Sequence, residues 1–281
     1  MDLRAAFLWR IVRPMSPSLH AQLLWEQGRR QGLVELMVVD ELVSAGEVAV
    51  DVGANFGLFA RRLARLVGRS GHVYLFEPYP HHHEQLGRFA KSTHVTYLPL
   101  ALSDHTGTAE LKVPQLDGVG VESMATLEKD ASPGEGFDES FEKVQVQVET
   151  FDRALACEPR PIGFVKCDVE GHELAFLRGG SGRLARDHPT LLLEIEQRHQ
   201  RRDISETFAL LDQAGYDGWV VRPDGLAPRE TFDVERDQLA ILRALPPTAR
   251  VGMDYLNTFL FVSRGRPLPP TLQAAKGVIR G

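Results

Sequence analysis

Short apolar runs alternate with helically spaced stretches through most of this chain. Glu47–Val52 (EVAVDV) predicts a strand, and Leu58–Val67 (LFARRLARLV), with apolar residues recurring at helical spacing, predicts the helix after it. His72–Glu77 reads as a second strand, His82–Lys91 as a helix and His94–Leu98 as a third strand. Four more strands are predicted at Ile162–Asp168, Thr190–Glu196, Tyr216–Val221 and Asn257–Val262. Helices over His172–Ala185 and Ile204–Ala214 separate three of them, with Gly215 placed as a C′ cap. Such alternation predicts a mostly parallel sheet with crossover helices on both faces.

Between the third and fourth strands the alternation stops. Thr108–Val113 (TAELKV) and Val144–Thr150 (VQVQVET) repeat at period two and predict an inserted antiparallel hairpin within 107–150. Asp117–Glu142 holds eight acidic residues against Lys129 alone, and reads as a solvated loop placed to lie over an active site. Ahead of the strands, Phe7, Leu8, Ile11 and Val12 share a helical spacing, among five arginines in the first 30 residues. A basic amphipathic helix is therefore expected in an extension over 1–40. It would pack on the domain or on a partner subunit, the latter making a homodimer, with membrane-surface contact as the alternative. The domain proper spans 41–265, and 266–281 is a loosely held tail.

Composition narrows the picture. The 281 residues fit one large α/β domain, and 43% hydrophobic with 25% charged residues supports a sizeable core. The 32 basic residues are outnumbered by 38 acidic ones, so no nucleic-acid partner is expected. With only Cys157 and Cys167 there is no disulfide framework, and a cytoplasmic setting is expected. Arg, Glu or Asp interrupts every apolar run before the roughly 18 residues a membrane span requires. Arg4, Arg10 and Arg13 likewise make a secretory leader unexpected.

The most informative stretch is Asp51-Val52-Gly53-Ala54-Asn55-Phe56-Gly57, which leaves a strand and opens a helix. Gly53 permits a sharp turn and Gly57 a close strand–helix approach. A dinucleotide fingerprint would place glycines where Asn55 and Leu58 stand, and no P-loop pattern occurs. An acid two positions before the first glycine instead matches the D/E-x-G-x-x-x-G pattern of S-adenosylmethionine sites. Glu77, twenty residues beyond Gly57 at the end of the second strand, can accept two hydrogen bonds from ribose hydroxyls.

With Asp51–Gly57 (DVGANFG), Phe76-Glu77-Pro78, Leu102-Ser103-Asp104 and Lys166–Glu173 (KCDVEGHE) in order, the chain resembles FkbM-type methyltransferases over residues 40 to 265. The resemblance implies the class I S-adenosylmethionine-dependent fold: a Rossmann-like, seven-stranded sheet of order 3-2-1-4-5-7-6 with only the seventh strand antiparallel. It implies that Asp51, Gly53, Asn55 and Gly57, with Ala54 and Phe56 of the same loop, surround the methionine part of the ligand. Glu77, followed by Pro78, would hold the ribose, and Ser103 and Asp104 would lie near the adenine.

Methyl transfer from a sulfonium requires an acceptor brought in line with the methyl carbon and a place for one proton. At the end of the fourth strand, Asp168 is assigned to the methionine end or to the acceptor. His172 is the first choice of general base and Glu170 the second. The alternatives are local: His172 an exposed first-turn residue, Glu173 a partner of the helix dipole, Lys166 facing a site carboxylate or snorkelling outward, Cys167 core packing. An Mg²⁺ site from Asp168 and Glu170 with Glu194 or Glu196 is kept as a second, less favoured arrangement. His81-His82-His83 reads as a solvated helix start and not as a metal site.

The expected activity is S-adenosylmethionine-dependent O-methylation of a small-molecule hydroxyl, on a sugar or a natural-product intermediate. Asp-Val-Glu-Gly stands where many amino-methyltransferases carry [DNS]-P-P-[YF], which favours oxygen over planar nitrogen. N-methylation, a nucleotide-cofactor oxidoreductase and a non-catalytic binding module are the alternatives.

Overall fold

The computed structural model describes residues 17–31, 33–91, 94–116, 119–121, 124–128, 141–245 and 251–274. The first strands are β1 (Val48–Val52), β2 (His72–Phe76) and β3 (Val95–Leu98). An inserted group follows: β4 (Ala101–Ser103), β5 (Gly107–Leu116), β6 (Val119–Gly120) and β7 (Phe141–Thr150). The remainder are β8 (Ile162–Cys167), β9 (Thr190–Glu194), β10 (Tyr216–Arg222), β11 (Gly225–Pro228) and β12 (Thr258–Ser263).

The main sheet runs β11-β10-β12-β9-β8-β1-β2-β3. It is an α/β sheet, mostly parallel, but it has eight strands where seven were expected. The additional strand β11 pairs antiparallel with β10, so it joins β12 in running against the rest. Strands β4 to β7 form a separate four-stranded sheet, order β4-β7-β5-β6, in place of the expected simple hairpin. The period-two pattern correctly pairs β5 with β7, but Ala101–Ser103 adds a parallel strand beside β7 that no hairpin contains. Val146 and Val148 of β7 point inward while Gln145 and Gln147 face solvent, which buries one face of this small sheet.

Helices α1 (Pro17–Arg30), α2 (Val34–Leu42) and α3 (Leu58–Val67) cover one face of the main sheet. Ala49, Val73, Leu75, Phe164 and Leu192 pack there with Trp25, Leu36 and Leu63. Trp25 meets Phe59 edge-on with ring centroids 5.3 Å apart, and Asp40 of α2 ties Arg29 of α1 to Arg62 of α3. Helices α4 (His83–Phe89), α5 (Glu173–Gly179), α6 (Ser181–Asp187) and α7 (Ser205–Gln213) follow. The last three pack on the other face, against Val48, Val50, Val52, Val165 and Leu193. The single helix expected over His172–Ala185 is two. A Cβ on Gly179 would lie 1.9 Å from the Ser103 carbonyl oxygen, so the chain approaches β4 through two glycines and restarts at Ser181.

No helix among the described residues is long and apolar enough to cross a membrane. The expected helix around Phe7, Leu8, Ile11 and Val12, most of the acidic segment (129–140) and the end of the tail (275–281) lie outside the described residues.

Candidate functional site

The turn leaving β1 is fixed by backbone. The amides of Gly53 and Ala54 both donate to the Phe76 carbonyl at 3.0 Å, tying the turn to the end of β2. Gly53 has φ +74°, and a Cβ there would sit 1.9 Å from the Asp168 carbonyl oxygen. The residue is thus glycine because the turn presses against the end of β8, more than because the turn is sharp. Asn55 is left-handed (φ +49°) and its Oδ1 accepts from the Phe56 amide, the local bond that makes this conformation tolerable for asparagine. Gly57 (φ +85°) opens α3.

Glu77 stands immediately after β2. Its Oε2 accepts from the Asn55 amide and its Oε1 from the Tyr79 amide, both at 2.8 Å, while Tyr97 donates its hydroxyl to the Glu77 carbonyl. Burial nevertheless pushes its carboxyl up to about 7, against those two bonds. Asp51 lies beneath the turn, fully buried, with Lys166 Nζ at 3.9 Å. Burial raises its pKa to about 6.

These elements enclose a cavity of about 90 Å³ lined by Gly53, Asn55, Glu77, Pro78, Asp168, Glu170 and His172 on its polar side. Phe76, Leu102, Leu111, Ala125 and Leu127 form the apolar side. The residues fit S-adenosylmethionine: Asp168 on the cavity wall for a cationic end, with Asp51 buried beneath the turn, a buried carboxylate at the end of β2 for vicinal hydroxyls, and apolar walls for a base. The enclosed space is well below the roughly 300–1,000 Å³ of a ligand pocket, because Met124–Glu128 of the insert crosses it. Thr126 Oγ1 donates to the Glu170 carbonyl (2.6 Å), and Glu128 Oε1 lies 2.7 Å from His172 Nδ1.

His172 therefore is not an exposed first-turn residue. Its ring spans Glu128 on one side and Ser103 Oγ (2.9 Å from Nε2) on the other. Ser103 reaches the cavity only through that ring, Leu102 being the wall at this point, and Asp104 is exposed and bonded to Ser103 and His105. After β8, Lys166 donates to Asp168 Oδ2 (3.1 Å) and to the Gly53 carbonyl (3.4 Å). Burial opposes its charge, but Asp168, Asp51 and Glu194 outweigh burial and raise its pKa. Lys166 thus faces carboxylates and does not snorkel. Glu173 is buried and accepts from the Val169 and Gly171 amides, so it shapes the turn directly; burial pushes it up to about 8. Cys167 is buried in the core, where burial raises its thiol.

The acids of the metal arrangement are drawn to other partners. Glu170, left-handed at φ +51°, pairs with His199 (2.8 Å), and Glu196 with Arg198 (2.5 Å) and the Tyr255 hydroxyl (2.6 Å). Glu194 accepts from Asn257. Burial lowers His199, but Glu170 and Glu196 prevail and raise it to about 10. Among the described residues no group of three or more His, Cys, Asp or Glu side chains is arranged to hold a metal ion. Of the histidine run, His82 is buried and not solvated, and His81 stacks on Tyr79.

A second, larger cleft of about 520 Å³ opens beside Lys166. Leu24, Leu33 and Val34 of the N-terminal helices, Phe59, Leu192 and Glu194 of the sheet side, and Met253, Tyr255 and Asn257 before β12 line it. Glu128, Tyr255, Asn257 and the cleft walls other than Lys166 and Glu194 are absent from the sequence-based candidates. The only signal for Glu128 is its place in the acidic loop expected to lie over the site, and none marks the others.

Residues 51–217, more than half of the chain, match the family described as the methyltransferase FkbM domain. Among solved structures, the chain is similar to methyltransferase FkbM from Methylobacillus flagellatus KT, at 17% identity over 77% of this chain and 43% of that chain (TM-score 0.44). It is also similar to Aeropyrum pernix fibrillarin in complex with natively bound S-adenosyl-L-methionine, at 11% over 79% and 68% (TM-score 0.44). A third is cofactor-bound Rv0187 from MTB, at 15% over 94% and 97% (TM-score 0.45). The chain spans less than half the length of the first of these. No curated protein matches it. With the turn after β1, the buried acid after β2 and the Lys166–Glu173 block all inside the matched region, the chain belongs to the FkbM methyltransferase family.

Proposed function

We propose that the chain transfers a methyl group from S-adenosylmethionine to a hydroxyl of a small molecule. One observation carries the reading: the two clefts share a wall. Asp168 lines the smaller cavity, Lys166 lines the larger cleft, and the two are joined by the 3.1 Å ion pair. A donor held by Asp51, Glu77 and Asp168 would therefore face an acceptor lying against Lys166.

When bound, S-adenosylmethionine supplies an electrophilic methyl carbon on a cationic sulfur. The chain's own residues do the rest. Glu77 accepts from ribose hydroxyls, and the amides that hold it keep its carboxylate aimed at the cavity. Asp51 and Asp168 place negative charge at the cationic end, with Lys166 orienting Asp168. His172 braces the wall between Ser103 and Glu128. Met124–Glu128, lying over the cavity, excludes water from it.

The full chain, incubated with methyl-labelled S-adenosylmethionine and separate panels of hydroxylated and amino compounds, is expected to give labelled methyl ethers. Labelled products from the amines alone would convert the reading to N-methylation, and failure to bind the donor in calorimetry would overturn it.

A further inference from the structure

Resting on that reading, we propose that Glu194 is the catalytic base: it receives the hydroxyl proton of the acceptor in the larger cleft, and the acceptor is an alcohol carried on a mostly apolar body. Strands β8 and β9 pair in register with Lys166 opposite Leu192 and Cys167 opposite Leu193, so Glu194 stands level with Asp168, the residue that walls the donor cavity. Leu192 packs on the sheet face covered by the N-terminal helices, and Glu194, two positions on, opens on the same side into the cleft. Asn257 holds Oε1, while Oε2 accepts no hydrogen bond among the described residues.

The other candidate bases are engaged. His172 has both nitrogens occupied and lines the donor cavity alone, Glu170 pairs with His199, and Asp168 is bound to Lys166. Glu35, the second acid of the cleft, lies on α2 beyond the sheet. Several groups face Glu194: Lys166, Asp168 and Glu170 at the end of β8, Glu196 on its own strand, Tyr255 and Asn257 before β12, and Glu35 and Arg222 around the cleft. Burial first, then Asp168, Glu196 and Glu170, push its carboxyl well above the usual range, which makes it a stronger base than a surface glutamate.

In the step, the acceptor oxygen bonds to the methyl carbon as the carbon–sulfur bond breaks, the bonding pair stays on sulfur, and the hydroxyl proton moves to Glu194 Oε2. Leu24, Leu33, Phe59, Val221 and Met253 make the walls more apolar than polar, with Gln27, Gln31 and Arg222 among the polar positions, so a largely apolar body buries there more favourably than a polyhydroxylated one.

The test uses the full chain with phenol, 4-nitrophenol, cyclohexanol and methyl α-glucoside as acceptor probes. Glu194→Gln is expected to lower cyclohexanol turnover by about 100-fold or more, to remove its rise with pH, and to leave donor affinity in calorimetry within about twofold. 4-Nitrophenol, largely ionised at pH 8, is expected to lose far less, and Glu194→Asp to keep partial turnover. Carbon-13 NMR of glutamate-labelled protein is expected to show a carboxyl titrating above the ordinary range that disappears in Glu194→Gln. Retained turnover, an equal loss on both acceptors, an ordinary titration, or methyl α-glucoside as the preferred probe would overturn the proposal. Donor binding without methylation of any probe refutes it while sparing the donor site. Absence of donor binding refutes the proposed function and this inference with it.

Discussion

Titrating the chain with S-adenosylmethionine in two buffers of different ionisation enthalpy is expected to show protons leaving the site. Glu77 is held at about 7 and Asp51 at about 6, both by burial. At pH 7 the empty site then carries about half a proton on Glu77 and about a tenth on Asp51. Ribose hydroxyls donate to the ionised form of Glu77, and a cationic ligand favours the ionised form of Asp51, so binding expels these protons. The release is about 0.6 proton at pH 7 and rises to about 1.4 at pH 6, where Glu77 is about nine-tenths protonated and Asp51 about half.

Glu173 does not enter this sum, although it is held higher still, because its carboxylate is committed to the Val169 and Gly171 amides. Glu77→Gln is expected to remove the larger part at pH 7. It should also weaken the donor about 10- to 100-fold, the scale of a lost hydrogen bond to a charged group. Isothermal titration calorimetry reads both: the dependence of the observed heat on buffer ionisation enthalpy gives the proton count. Buffer-independent heats at pH 6 and pH 7, or the same release from Glu77→Gln, would refute the assignment of the ribose to Glu77.

The same burial predicts that the folded chain loses stability as pH rises from about 5 to 8. Asp51, Glu77 and Glu173 are raised above their unfolded values, and so is His199, so the folded state binds more protons across that window. Glu158, held at about 2 by Arg160, acts in the opposite sense only below about pH 4.5, and a melting temperature that climbs to pH 8 would contradict the argument. Gly53→Ala is expected to cost more than about 4 kcal/mol, since its Cβ meets the Asp168 carbonyl at 1.9 Å. Gly68→Ala, at φ +63° and ψ −170° but with nothing within 4 Å, should cost about 1–3 kcal/mol from backbone strain alone, and denaturant melts compare the two. His172→Ala is expected to raise the donor dissociation constant about tenfold with turnover at saturation little changed, as the loss of its bonds to Ser103 and Glu128 implies; the reverse pattern in steady-state kinetics would make it a base. Trp25→Ala removes a buried ring from Phe59 and should cost about 3–5 kcal/mol by thermal melting.

The sheet was legible where a strand is a continuous apolar run, because burial on both faces leaves that signature without help from distant residues. Val48–Val52 and Thr190–Glu194 show it plainly. Gly225–Pro228 does not: four residues ending in proline read as a loop, and only pairing with β10 makes them a strand. The split between α5 and α6 escaped notice for a related reason, since the approach of Gly179 to Ser103 is a contact across more than seventy residues. In the site, Asp51, Gly53, Glu77 and Asp168 were legible because each sits at a strand end, where the fold itself determines what they face. His172 was legible as a residue but not in its surroundings, because Glu128 and Ser103 reach it from the insert and from β4.

The division between what was legible and what was not follows the division of labour in the molecule. The matched region, residues 51–217, contains every residue assigned to the donor. The larger cleft takes from that region its sheet-side wall and Leu58 and Phe59 of α3. Its remaining walls come from residues 24–36, from 221–223 and from 251–258, all outside the match. The two halves meet at Lys166 and Glu194, which belong to the matched strands but line the cleft built by the unmatched segments. On the proposed function, donor binding is set by local turns that a short motif can encode. Acceptor choice would then depend on how two N-terminal helices and one loop dock on the carboxyl edge of the sheet, where side chains can change without disturbing the turn assigned to the donor. That separation is the physical reason a motif identifies the reaction in this chain while leaving its acceptor to be read from the walls of the cleft.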